Sequence, residues 1–591
     1  MKKIAYLLLA LPLLASCDLD RAPLDVLAPQ NTFNNKEELE TATNGFYAML
    51  PNAEGLYGES ADMVIPSTLI NEVLGTRTVP STGGGWSWTM LSDINTYLAF
   101  SVRCPDANIR AQYDGVARFF RAYFYFEKVK RFGEVPWFDT PLTSTDNRLY
   151  QERTDRNTLL ANMLADIDYA VQHLPTAKSS FRVTKWTALA LKSRMALFEG
   201  TFRKYHGIAG YETYLQLAAD AAKDFMDNAP YTIYKEGSQP YLNLFASNAA
   251  INAEVILALN YNVSLNIVHD INNYFINGGA KPGLNKKIVD SYLMADGTRF
   301  TDKTGFDTIQ FYNEMKDRDP RLAQTIVTPG YKRLQGNEAL SPNFSATTTG
   351  YQIIKGVTTP KDDQWHKSQN DFPLFRTAEV YLNYAEAKAE LGTLTQADLD
   401  ASILKLRQRV NMPGIDLAAA NANPDPYLES AETGYPNVSG PNKGVILEIR
   451  RERTIELLCE GFRYYDLIRW KEGKAFEKQF KGMYFSAIDN TKKFTVYDLN
   501  GNGVNDALDV CIFVGDAAPS KETYPELKDV KVFLKLGENI KLENDVIGGN
   551  VIVHNLKDFN RSWNEDRDYL YPIPQSQITL YGGKLQQNPN W

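Results

Sequence analysis

The sequence predicts a mainly α-helical fold: tetratricopeptide-like helical hairpins with a loop-rich face and minor short β-strands. Three observations predict it. Apolar residues recur at helical spacing in a series of segments. Those segments succeed one another at a loose period near the tetratricopeptide length, although the consensus pattern of that repeat is absent. Long polar stretches at 56–89, 278–287, 330–371 and 417–443 separate the helices and exceed what simple connectors need.

The first amphipathic segment is 37–50. Residues 111–131 form a long aromatic-rich one. In 158–174, Leu159, Leu160, Met163, Leu164, Ile167 and Val171 share a face, and Pro175 ends the segment. Residues 185–199 predict a helix stopped by Gly200, and 214–228 predict its partner. Residues 375–391 predict a helix ended by Gly392, with 398–410 next; Ala385, Ala387 and Ala389 permit close approach. Beyond residue 485 the pattern turns β-like, at 494–497 and 510–514.

The N-terminus sets the compartment. Lys2 and Lys3 precede a short apolar run, followed by Leu14, Ala15, Ser16 and Cys17. This reads as a secretory signal over 1–16, too short to span a bilayer, whose end is a bacterial lipobox. The Cys17 thiol would carry a diacylglycerol, and several acyl chains on one residue suffice for stable anchoring. A polar, proline-containing tether follows.

The chain has 63 basic and 71 acidic residues and a formal charge of −8; loss of Lys2 and Lys3 with the signal brings it near −10. With no Lys/Arg stripe, this disfavours nucleic acid as a partner. Cys104, Cys459 and Cys511 admit at most one disulfide, match no metal spacing and read as small buried residues. His173, His206, His269, His366 and His554 are scattered. No HExxH, nucleophile elbow or phosphate loop appears.

Three further segments carry a resemblance. The first is Arg118 to Tyr125 together with Phe132-Gly133-Glu134-Val135-Pro136. The second runs from Arg450 to Trp470, with Glu452, Arg453, Glu456, Glu460, Gly461, Arg463, Asp466 and Arg469. The third is Tyr569 to Pro574 with Gln587 to Trp591. With the lipobox, and in this order, they make the chain resemble the SusD/RagB outer-membrane lipoproteins. The resemblance implies a tetratricopeptide-like N-terminal region over 17–230 and a C-terminal region over 231–591, packed as one body. It implies a non-enzymatic protein on the extracellular face of the outer membrane. Such a protein captures oligosaccharides and delivers them, lid-like, to a SusC-like TonB-dependent transporter. Asp18 and Asp20, after Cys17, fit outward exposure. Peptide capture, surface glycan hydrolysis and a scaffold that binds only protein are the alternatives.

Read as physics, the second segment is a charge lattice. Glu456 and Glu460 fall four apart, interleaved with Arg453 and Arg463, as helical ion pairing requires. A glycosidase pair would have to face each other across a substrate. Arg118 and Arg121 read as core residues bridging to a carboxylate. Pro572 and Pro574 predict an extended strap, and Trp591 a plug.

A sugar ring offers an apolar face and a polar rim, so binding tryptophans belong on loops. The run Gly83-Gly84-Gly85-Trp86-Ser87-Trp88 would, if extended, place both indoles on one edge. Trp86 and Trp88 are therefore the leading ligand-binding candidates. Tyr57, Asn71, Arg77 and Trp365 follow, on loop position and chemistry.

Residues 498–509 match a twelve-residue calcium loop. Asp498, Asn500, Asn502, Asp506 and Asp509 supply oxygens at positions 1, 3, 5, 9 and 12; Val504 offers a carbonyl and Gly503 the sharp turn. Asp509 replaces the usual Glu. One structural Ca2+ is one expectation; a β-hairpin turn built on the two Asn-Gly pairs is the other.

Overall fold

The computed structural model describes residues 32–591; the signal, Cys17 and the tether lie outside them. Helix α1 (Lys36–Asn44) starts at Asn35, whose side chain accepts from the Glu38 N–H. Next come α2 (Thr89–Phe100) and α3 (Ala107–Phe132). Asp106 caps α3, accepting from the N–H groups of Asn108 and Ile109, and Gly133 ends it at φ 72°. Its aromatic sequence buries Phe119, Phe120, Tyr125, Phe126 and Phe132. Each contributes about 1.5–3 kcal/mol relative to exposure.

Helix α4 (Arg156–His173) packs on α3. The expected Arg bridge joins them: Arg121 meets Asp166 through two hydrogen bonds of 2.6 and 2.7 Å. Helix α5 (Lys185–His206) opens with a reciprocal Thr184–Thr187 cap and ends at Gly207 in the left-handed region. Gly200 therefore does not stop it. A Cβ there would come within 2.8 Å of the Leu215 side chain and 2.9 Å of its backbone nitrogen. The glycine serves the close approach of α6 (Tyr211–Asn228).

Past the short α7 (Ile271–Ile276), helix α8 (Thr377–Leu391) ends at left-handed Gly392 as expected and packs on α5 and α6. It begins two residues later than predicted, because Phe375 and Arg376 belong to a strand. The predicted helix at 398–410 is broken into Gln396–Ala401 and Ile403–Gln408. The Ser402 hydroxyl between them donates back to the Asp398 carbonyl, at 2.6 Å. Helices α9 (Lys443–Glu456) and α10 (Arg463–Arg469) complete the helical body.

Strands are short: β1 (Val64–Ile65), β2 (Val255–Leu259), β3 (Gly283–Leu284), β4 (Phe372–Arg376), β5 (Phe480–Phe485), β6 (Phe494–Tyr497), β7 (Val510–Phe513), β8 (Val532–Lys535) and β9 (Gly549–Val553). β1–β3, β2–β4 and β5–β9 form antiparallel pairs. β6, β7 and β8 form a sheet in that order, with β7–β8 parallel. One hydrophobic core runs from Leu39 to Leu585 and draws on both halves of the chain. A second gathers α8, α9 and Trp470. Cys104, Cys459 and Cys511 are buried and free. Among the described residues, no helix is long and apolar enough to cross a membrane.

The charge lattice is real, but it is mostly tertiary rather than helical. Helix α9 ends at Glu456, and positive-φ residues Cys459 and Gly461 turn the chain, so Glu460 is not on the same helix. Glu456 accepts from Arg376 (2.7 Å), Arg409 (2.6 Å) and Arg321 (3.1 Å); Glu460 accepts from Arg376 and Lys355 (2.7 Å each). Burial alone would raise the Glu456 carboxyl; the three guanidiniums outweigh it and hold it well below the ordinary range. Arg463 reaches back to Asp62 at 2.7 Å. The C-terminal segment is a strap, as predicted: the Tyr571 N–H bonds the Arg131 carbonyl, Ile573 is buried, and the Trp591 indole donates to Leu570.

Candidate functional site

Of the six candidate ligand-binding residues, only Trp86 and Trp88 touch each other, and four are built into the body. The Gly83–Gly85 backbone is not extended; all three glycines have positive φ, and the Trp86 N–H closes a turn onto the Gly83 carbonyl. This shape lays the loop against α3. Lys128 donates to the Gly85 carbonyl and Arg131 to that of Gly84 (2.9 Å). Trp86 is buried edge-on against Phe132 (4.9 Å), and Trp88 packs against Phe124 and Phe138. Neither indole N–H finds an acceptor. That costs about 1–3 kcal/mol each, which aromatic burial has to exceed. As placed, Trp86 offers no face to a ligand.

Tyr57 is likewise in the core, 2% exposed, among His269, Tyr274, Phe275 and Phe372. Arg77 is caged by Tyr571, Trp591 and Trp563 at 4.6, 5.3 and 5.7 Å and paired with Asp568 at 3.2 Å. It anchors the C-terminal strap. Asn71 is exposed, at the start of a four-residue helix, accepting from the Thr76 hydroxyl. Trp365 is different: the residue is 65% exposed, and it is the one exposed tryptophan among the described residues. A large exposed aromatic is an informative exception to burial.

The turn that carries Trp365 is held from below. Helix α7 follows a short pairing of His269 with Ser368, closed by backbone hydrogen bonds of 3.0 and 3.1 Å. Asp270 accepts from the His366 backbone N–H (2.5 Å) and lies 3.2 Å from its Nδ1. Asn272 is wholly buried. Its amide donates to the Thr359 carbonyl and to Asp363, and its oxygen accepts from the N–H and hydroxyl of Thr358. Asn273 and Asn277 both donate to the Asp363 carbonyl (2.9 and 3.1 Å). Arg333 grips the Asp363 carboxylate with two bonds, of 2.9 and 2.6 Å. His366 sits at φ 56°. Gln364, Trp365, His366 and Lys367 thus project from a turn whose backbone is fixed at many points. Such a group loses little freedom when a ligand stacks on it.

The sequence placed Trp365 among the weaker candidates and missed its supports. The signal available was a tryptophan with no apolar neighbour, in a stretch of Asp, Gln, Lys and Asn.

A cavity of about 220 Å³ lies elsewhere, between α3, α5 and the 460–469 segment, lined by Tyr123, Phe126, Phe198, Phe462 and Tyr465. Its charged groups are engaged with one another or with neighbours: Arg194 with Glu379, Arg453 with Asp466, Arg469 with Glu386, Lys130 with Glu127. It contains none of the candidate residues and reads as a seam between paired charges.

The 498–509 loop joins antiparallel β6 and β7, so the hairpin exists; its connection is the whole twelve-residue loop rather than a tight Asn-Gly turn. Asp498 accepts from the N–H groups of Asn500, Gly501 and Gly503. The amides of Asn500 and Asn502 converge on Asp506, at 2.8 and 2.7 Å. Asp509 accepts from Leu499 and Asp506. Val504 is exposed. Among the described residues, no group of three or more His, Cys, Asp or Glu is arranged to hold a metal ion; any ion here would need the Asn oxygens and the Val504 carbonyl as well.

Comparison with known proteins places this geometry. The SusD family model matches residues 216–591, and a family described as starch-binding, associating with outer membrane, matches 88–197. A SusD-like protein of Formosa agariphila is 23% identical over 510 residues, covering 77% of this chain and 87% of that one. One from Bacteroides ovatus is 23% identical over 540 residues, covering 83% and 88%. A SusD-like protein of Bacteroides fragilis superposes with a TM-score of 0.68 at 20% identity, over 97% of this chain and 100% of that one. Another of that species, described as a SusD-like carbohydrate-binding protein, gives 0.64 at 20%, over 93% and 98%. A chain solved with a xylogluco-oligosaccharide gives 0.53 at 19%, over 77% and 90%. At these identities the structures establish the shared helical fold, and with a family model spanning well over half of its length, the chain belongs to the SusD family.

Proposed function

We propose that this protein captures oligosaccharides at the cell surface without cleaving them, using Trp365 as a stacking face. The single observation that carries the reading is that exposed indole on a turn pinned by Asp270, Asn272, Asn273 and Asp363. Two similar structures support it, one described as carbohydrate-binding and one solved with a xylogluco-oligosaccharide. In this reading Cys17 carries the lipid that tethers the body to the extracellular face of the outer membrane. A SusC-like TonB-dependent transporter receives the ligand.

The test is calorimetry of the purified protein against oligosaccharide and peptide panels run side by side. Oligosaccharide binding that falls at least tenfold in Trp365→Ala, with no products released, is the expected result. Covering an apolar side chain of this size is worth about 1.5–3 kcal/mol, which is roughly tenfold or more in affinity. Peptide binding alone, or affinity unchanged in that variant, would overturn it. We further propose that the 498–509 loop takes one structural Ca2+, on the spacing of Asp498, Asn500, Asn502, Asp506 and Asp509 at calcium-loop positions; the Asn500 and Asn502 amides, which donate to Asp506, would turn to present their oxygens.

A further inference from the structure

We infer that the Trp365 turn selects anionic oligosaccharides, chains whose rings carry carboxylate or sulfate groups. The inference rests on the reading of Trp365 as the stacking face and adds the chemistry beside it. Lys361 and Lys367 lie four residues before and two after Trp365, and both are exposed. Neither makes an ion pair or a hydrogen bond within the protein.

The carboxylates of the turn are bonded inward, and among them Asp363 is paired with a guanidinium. Asp270 holds His366. Asp362 is buried and accepts from the hydroxyls of Thr358 and Thr359 (2.6 and 3.0 Å). Asp363 is gripped by Arg333. Asp371 accepts from the N–H groups of Ala250 and Tyr261. Glu54 is exposed and has no ion-pair partner, so its charge opposes the two lysines rather than being cancelled. The turn thus carries two exposed ammonium groups without an ion-pair partner, and an exposed amide, Gln364, in the residues flanking Trp365, on a chain whose net charge is −8. A protein of that charge repels a polyanion at long range, so local cations have to supply the attraction. Lysine is a compact point charge without the planar fork that prefers carboxylate, so uronates and sulfate esters are both admitted.

The experiment measures binding of three probes to the full protein: an oligogalacturonate, its methyl ester, and a sulfated galactan oligosaccharide. The ester keeps the rings and removes the charge. The expected result is that at least one anionic probe binds about five- to tenfold tighter than the ester. Its advantage should shrink as salt is raised and vanish in Lys361→Gln/Lys367→Gln. Which anion wins identifies the group recognised. If the ester binds as tightly as both anions, or the double variant keeps the difference, the inference fails and the capture function stands. If no probe binds while the oligosaccharide panel does, the inference alone fails; if binding ignores Trp365→Ala, both fail. The two lysines are exposed, so a far-UV spectrum matching the parent separates loss of charge from loss of fold.

Discussion

Two loops of this molecule carry tryptophan among small and polar residues, and they end in opposite places. The Gly83–Trp88 loop lies down: positive-φ glycines let its carbonyls approach Lys128 and Arg131, and its indoles fill a gap against Phe124, Phe132 and Phe138. The Gln364–Lys367 turn stands up: its carbonyl and carboxylate anchors at Asp363 lie below it, and nothing apolar faces Trp365. What decides exposure is where the flanking backbone is bonded, not the flexibility that a glycine run suggests. Flexible glycines favoured collapse here, and a dense hydrogen-bonded base kept an aromatic in water.

The comparison breaks most sharply under truncation. Trp86→Ala should cost about 3–5 kcal/mol of stability, read as a fall in denaturation midpoint, while the folded fraction keeps its affinity for glycan. Trp365→Ala should leave stability within about 0.5 kcal/mol and abolish most binding. A Trp86→Ala protein of unchanged stability that no longer binds would reverse the two assignments.

Titration sharpens the buried side. Burial first, and the Arg131 charge second, pull the Lys128 ammonium down to about 8. The unfolded chain holds that proton more tightly. The fold is therefore penalised below pH 8, and the penalty fades as pH rises towards the ordinary lysine value of 10.5. Relative to Lys128→Met, the parent should gain up to about 3 kcal/mol across that window, measured by chemical denaturation at each pH. Parallel pH profiles would mean that the amine is already hydrated and the loop is not clamped through it.

On the exposed side, Asp363→Ala removes the acceptor for Arg333 and Asn272 but keeps the ring. Affinity should fall about tenfold with a larger entropic penalty by calorimetry, because the turn then has to be ordered on binding. Stability should drop by about 1–3 kcal/mol as the Arg333 guanidinium loses its partner. Full affinity in a destabilised variant would show that Trp365 needs no preorganised base.

Much of the helical body was legible because its signals are local. Gly392 ends its helix as its φ preference dictates, whereas the equally local caps Asp106 and Thr184 went unread and the Asp106 helix starts at Ala107 rather than at 111. The other failures are where a distant partner decides. Gly200 looks like a stop but answers to Leu215, and Glu460 looks helical but answers to Arg376 and Lys355. The same limit governs the ligand candidates. Chemistry marked tryptophans on loops, but only the packing of α3 shows that Trp86 is covered, and only residues 269–277 and Arg333 show that Trp365 is held out.

The calcium loop carries the smallest effect. Burial raises the Asp509 carboxyl. The N–H groups of Asp506 and Leu499 work against that rise, and the carboxylates of Asp506 and Asp498 add to it. A cation at this point would relieve that repulsion. The Asn500 and Asn502 amides, now donating to Asp506, would turn their oxygens inward. With a dissociation constant of 10⁻⁴–10⁻³ M, roughly that of extracellular modules, 1 mM calcium should add only about 0.4–1.4 kcal/mol. Thermal denaturation in calcium against chelator reads this, and Asp498→Ala should abolish the difference. Equal midpoints and no calorimetric heat in the parent protein would leave the loop as a hydrogen-bonded β6–β7 connection whose side chains satisfy one another without a metal.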